Sequence, residues 1–137
     1  MSARLCLLRD FTRLAKSDVA DSNLPRPEDE RGHTFAKLDF HRLGKRVLKA
    51  IAAELGLQSG TYDIRSNLAG PACSGEVTLH GEHIYIQFSN DCMGDVFLYR
   101  SCDGRKDYSG RGNNWMQYDD LLDLPRACEV FKRKMED

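Results

Sequence analysis

No apolar run in the 137 residues approaches the about 20 residues that a bilayer-crossing helix requires, so a membrane-spanning segment is not expected. Cysteine is present but unorganised. The five residues fall at 6, 73, 92, 102 and 128, an odd number with no C-x-x-C pair, which argues against a secreted disulfide framework. An excess of either charge is also missing. Twenty Lys and Arg oppose 21 Asp and Glu, and the net charge of −1 excludes both a globally basic nucleic-acid coat and an acidic solvating tail. Catalytic signatures are equally scarce. The glycines of Gly70-Pro71-Ala72-Cys73-Ser74-Gly75 match neither the phosphate-binding loop nor the dinucleotide fingerprint. The paired carboxylates Asp119-Asp120 read as helix-start charges rather than an acid/base couple. These absences leave a soluble, cytoplasmic protein as the expectation, long enough to bury a core without disulfide or metal staples. No enzyme activity, cofactor, metal or membrane partner is expected of it.

What is present is unevenly distributed. Residues 35–58 carry a net charge of +3, 59–98 a net of −4, 99–118 a net of +2 and 119–137 a net of −2. Residues 1–34 divide into an amphipathic segment, with Leu5, Leu8, Phe11 and Leu14 or Ala15 at helical spacing, and a polar linker containing Pro25 and Pro27. The compact domain is therefore expected to span 35–137. Within it, Phe40, Leu43, Val47, Leu48, Ile51 and Leu55 predict a helix over 38–57. Asp39 is its expected N-cap and Gly56 its left-handed terminator, with Gly44 a point of close approach to a sheet.

Strands are expected at 61–65 and 96–100, flanking a hairpin over 76–88. With Gly81-Glu82 as a two-residue turn, His80 would face His83 and Leu79 would face Ile84. From Ser101 to Asn114 the pattern stops, and a long loop is expected to close on Trp115-Met116. A final helix over 125–135 follows, with Pro125 as a break or first turn. The prediction is an α+β fold: a four-stranded antiparallel sheet in the order α-β-β-β-β-α.

Two surfaces stand out as binding candidates. Arg42, Lys45, Arg46 and Lys49 form a basic stripe at i, i+3, i+4 and i+7, suited to a phosphate backbone or an acidic protein face, although the outer face of any surface helix is charged. The second is the segment from Tyr99 to Tyr118, where Arg100, Arg105, Lys106, Tyr108, Arg111 and Trp115 interleave aromatic and basic groups on a Gly-rich loop. Such a loop can stack on bases or supply the hot spots of a protein interface; in the plainer alternative, Trp115 and Tyr118 plug the core. His80 and His83 would lie side by side at the hairpin tip, without an evident third metal ligand. Cys73 with a nearby histidine is the weakest pattern, equally explained by a small residue in a turn.

The strings Leu-Asp-Phe-His-Arg-Leu-Gly-Lys-Arg-Val at 38–47, Ser-Gly-Glu-Val-Thr-Leu-His at 74–80 and Tyr-Arg-Ser-Cys-Asp-Gly-Arg-Lys-Asp-Tyr at 99–108 give the span 38–116 a further character. It resembles small accessory proteins encoded by bacteriophages and plasmids. That resemblance implies a mobile-element context, a class that includes anti-CRISPR inhibitors, and it carries no catalytic signature to transfer. Together these readings predict a non-enzymatic protein that docks on a nucleic-acid-handling complex of a bacterial host. Direct nucleic-acid binding through the basic helix and the Arg/Tyr loop is the alternative.

Overall fold

The computed structural model describes residues 2–16, 35–69, 75–90 and 95–136. The polar linker after Lys16 and the Cys73 turn lie outside the described residues. Helix α1 (Ala3–Lys16) is followed by α2 (Phe35–Glu54). Then come five strands: β1 (Asp63–Asn67), β2 (Glu76–His80), β3 (Ile84–Phe88), β4 (Val96–Ser101) and β5 (Asn114–Gln117). A 3-10 turn over Tyr118–Leu122 leads into α3 (Leu124–Met135). The strands form one antiparallel meander in the order β1-β2-β3-β4-β5. The fold is α+β as expected, with five strands rather than four. β5 escapes sequence reading because it is a four-residue edge strand in which Met116 alone is buried.

One face of the sheet holds the core. Val77, Leu79, Ile84, Ile86, Phe88 and Phe97 all point to it and are essentially inaccessible to solvent, and the helices pack over them. α2 terminates as its sequence dictates. Gly56 takes φ +72°, its amide bonds to Ala53 O at 3.1 Å, and the Leu57 amide reaches Ala52 O at 2.9 Å, closing a Schellman motif. The helix begins at Phe35, however, so Asp39 is not its cap. Asp39 instead pairs with Arg42 one turn on. At Gly44 an added Cβ would stand 3.3 Å from Phe11 and 3.4 Å from Val77, so the glycine lets α2 approach α1 and the sheet together. Asp123 caps α3 by accepting from the Arg126 amide, with Pro125 in the first turn.

Two expectations are corrected here. Residues 1–34 are not simply appended to a domain that starts at Phe35, because α1 is part of the core. Phe11 is fully buried against the rings of Phe40, Phe88 and Tyr118. The hairpin register also differs. His80 pairs with Tyr85 and Leu79 with Ile86, and the Gly81 amide bonds to Ile84 O, so the turn is Glu82-His83. The shift is two residues, which returns every side chain to the same face. Alternation of apolar and polar residues is blind to it.

Candidate functional site: a loop folded over the outer sheet face

Strand alternation sends a second set of side chains away from the helices: Asp63 and Arg65 from β1, Thr78 and His80 from β2, Tyr85 from β3, Leu98 and Arg100 from β4, and Trp115 from β5. The expected long loop after β4 lies over part of this face. It is organised from within by Asp107, whose carboxylate accepts from the amides of Gly110 at 2.9 Å, Asp103 at 2.9 Å and Ser109 at 3.2 Å. Those bonds, the Gly110 amide foremost, pull its pKa down to about 2. Gly110 has φ +60°, and a Cβ there would fall 2.5 Å from Arg100 Cδ, so both backbone conformation and space demand glycine.

The loop is fastened to the sheet by the cationic side chains that the sequence marked as partner-binding. Arg105 grips Asp63 with two bonds and Gly60 O with a third at 2.8 Å. Arg100 lies with its guanidinium carbon 4.3 Å above the Tyr85 ring and donates to Tyr108 O at 2.6 Å and Asn113 Oδ1 at 3.2 Å. Arg65 donates to the Tyr108 hydroxyl at 3.1 Å. Arg111 pairs with Asp103, and Lys106 is exposed. Arg100 and Arg105 are thus largely engaged by the protein itself. Trp115 and Met116, expected together as an anchor, divide by alternation: Met116 is buried, while Trp115 is 46% exposed and Tyr108 59%. Tyr118 is the core plug, donating to Ser89 O at 2.7 Å and accepting from Ser89 N at 3.0 Å.

Under the loop lies a recess of about 180 Å³. Tyr108 and Tyr85 wall it, His80 and Thr78 lie along β2, and Arg65 and Glu76 line it further out. His80 is 2% exposed. Its Nε2 stands 3.0 Å from Gly104 O, which can only accept, so Nε2 carries the proton and Nδ1 presents a lone pair. That Nδ1 has no partner among the described residues. Burial lowers the pKa of His80, and the nearby charges of Arg65 and Arg100 lower it further against the opposing Gly104 bond. An unpaired buried acceptor of this kind costs about 1–3 kcal/mol. His83 is exposed in the turn, so the two histidines do not form a pair, and no cluster able to hold a metal ion occurs among the described residues. Sequence marked Tyr108 in the loop and His80 at the hairpin tip, but not the recess they share: apart from Tyr108, its residues alternate through three strands that read as ordinary half-polar strands.

The basic stripe lies on the other side of the sheet. Arg42, Lys45, Arg46 and Lys49 are all exposed on the outer side of α2, so they and the Arg/Tyr loop do not make one continuous surface. The stripe belongs to a larger pattern. The three helices carry 13 basic side chains against four acidic ones. Arg13, Lys45, Arg46, Lys49, Lys132 and Arg133 form no ion pair among the described residues. A buried His41 also lies on this side, with Nδ1 hydrogen-bonded to Ser66 Oγ.

Comparison with known proteins adds no relative. No family model, curated protein or solved structure matches the chain. No helix among the described residues is long and apolar enough to cross a membrane.

Proposed function

We propose that this protein is a non-enzymatic binder that lays its helical layer along the phosphate backbone of nucleic acid. The observation that carries the reading is the charge of the three α-helices, 13 basic side chains against four acidic (seven with Asp119, Asp120 and Asp123 of the turn between them), on a protein whose total is −1. The cations in the last turns of α1 and α3 have an ordinary explanation in the helix macrodipole. Those of α2 do not, because its last turn has no basic residue and the stripe runs through its middle. Arg42 to Lys49 covers about 10 Å of helix axis, a straight row of cations suited to successive phosphates.

The test is salt-dependent binding. Wild-type protein should shift a mixed-sequence DNA duplex at low salt. In the triple variant Lys45→Ala, Arg46→Ala and Lys49→Ala, the slope of log affinity against log salt should flatten by about 0.9 for each phosphate that the helix no longer neutralises. Absence of retardation at low salt, or an unchanged slope in the variant, would refute the reading.

A second reading is favoured by Trp115, an exposed aromatic on an edge strand of a kind that anchors protein interfaces. In it the protein, acting in the cytoplasm of a bacterial host as an accessory of a mobile element, docks on a nucleic-acid-handling complex through the outer sheet face and inhibits it. The first reading leads because docking through the outer sheet face leaves the unpaired cations of the helices without a role. A host complex retained by wild-type protein and released by Trp115→Ala would reverse that order.

A further inference from the structure

β5 is the last strand of the sheet, so one of its sides has no strand beside it. The register decides which groups that side presents. The Tyr118 amide donates to Asp95 O at 3.0 Å, which makes Val96 and Gln117 a non-hydrogen-bonded pair and Leu98 and Trp115 the next one. The amides of Trp115 and Gln117, and the Trp115 carbonyl, therefore point away from β4. None of the three has a hydrogen bond among the described residues. Both residues are exposed, and β5 carries neither charge nor proline to blunt its edge.

The edge runs beside a groove of about 620 Å³ on the helical side of the sheet. Met116, Ala127 and Val130 supply its apolar surface, and Asp119, Asp120 and Asp123 stand around it against one guanidinium, that of Arg126. Lys16 pairs with Asp119 and Asp123 caps α3, whereas Asp120 has no ion pair among the described residues. An extended chain laid on β5 sends the side chain opposite Met116 toward this groove, and those opposite Trp115 and Gln117 toward the indole. A lysine or arginine suits the first position, with its stem on the apolar surface and its cation at Asp120. Apolar residues suit the other two. A second copy of β5 supplies no such cation, because Asn114-Trp115-Met116-Gln117 is uncharged. We infer that the β5 edge binds an extended peptide of another protein, in which basic and apolar residues alternate. None of these groups belongs to the α2 stripe, so the peptide site stands whether or not that stripe takes nucleic acid.

The test titrates the full-length protein with a short blocked peptide of alternating lysine and valine and, separately, with its glutamate–valine counterpart, following backbone amides by ¹⁵N NMR. The lysine peptide should bind saturably and move the Trp115 and Gln117 amides, and the glutamate peptide should not bind. Gln117 has φ −74° and ψ 142°, a backbone that proline adopts, and β4 does not use its N–H. Gln117→Pro therefore removes one edge donor and leaves the ladder intact. Affinity should fall by about tenfold or more in Gln117→Pro and in Asp120→Asn, the scale of one lost bond to a charged group or of a blocked strand pairing. Unchanged urea unfolding shows that each variant is folded. No saturable binding, equal binding of the glutamate peptide, or wild-type affinity in either variant overturns the inference. So does concentration-dependent dimerisation that Gln117→Pro abolishes, which would give the edge to a second copy.

Discussion

Arg105 and Asp63, 42 residues apart, meet in a two-bond pair: Nη2 donates to Oδ1 at 2.9 Å and Nε to Oδ2 at 3.2 Å. This pair ties the loop after β4 to the first residue of β1, on the opposite side of the hairpin that separates them. The Arg105 hydrogen bond is also the main reason the Asp63 carboxyl sits below the usual carboxylate range. A lysine at 105 would keep the charge but could not match the planar fork. Arg105→Lys should therefore leave global unfolding nearly unchanged while hydrogen exchange across 102–113 speeds up severalfold. Exchange at wild-type rates would show that the loop is held elsewhere.

Asp107 gives that loop a dependence on acid. Its folded pKa of about 2 lies below the ordinary aspartate value of about 3.9, so the unfolded loop binds its proton first. The ordering contribution is complete above the ordinary value and is lost as pH falls toward about 2. Amide exchange at Asp103, Ser109 and Gly110, referenced to the intrinsic acid-catalysed rates, should lose protection in that window. In Asp107→Asn the loss should be present already at neutral pH. A wild-type carboxyl that titrates at its ordinary value by NMR would contradict the account.

Phe11 tests whether α1 belongs to the core. Its ring centroid lies 4.9 Å from Phe88, 5.4 Å from Phe40 and 5.7 Å from Tyr118, and its side chain is fully buried. Phe11→Ala should cost about 3–5 kcal/mol in urea unfolding, the range for a large aromatic removed from a packed core. A loss below about 1 kcal/mol, the scale of an ordinary surface change, would mean that α1 packs only loosely.

Much of the architecture is written locally. The three- and four-residue spacing of Phe40, Val47, Leu48 and Ile51 dictates α2, and Gly56 dictates where it stops. The alternation through 76–88 dictates two strands and which side chains share a face. These features depend on periods and on backbone freedom, and both are properties of neighbours in the chain.

The hairpin register, the fifth strand and the place of α1 depend instead on distant partners. A two-residue slip preserves the alternation of β2 and β3, so the turn at Glu82-His83 is selected by tertiary packing. β5 is a strand because β4 offers it an edge. Phe11 is a core residue because Gly44 leaves room beside it. The candidate site divides the same way. Sequence marked the arginines and tyrosines of the loop, but only the fold turned Arg105 toward Asp63, buried His80 beneath Tyr108, and set the basic stripe of α2 on the opposite side of the sheet. A balanced charge count cannot show that segregation. Sequence determines which side chains are charged, whereas the sheet, as a barrier between two faces, decides which of them can act together.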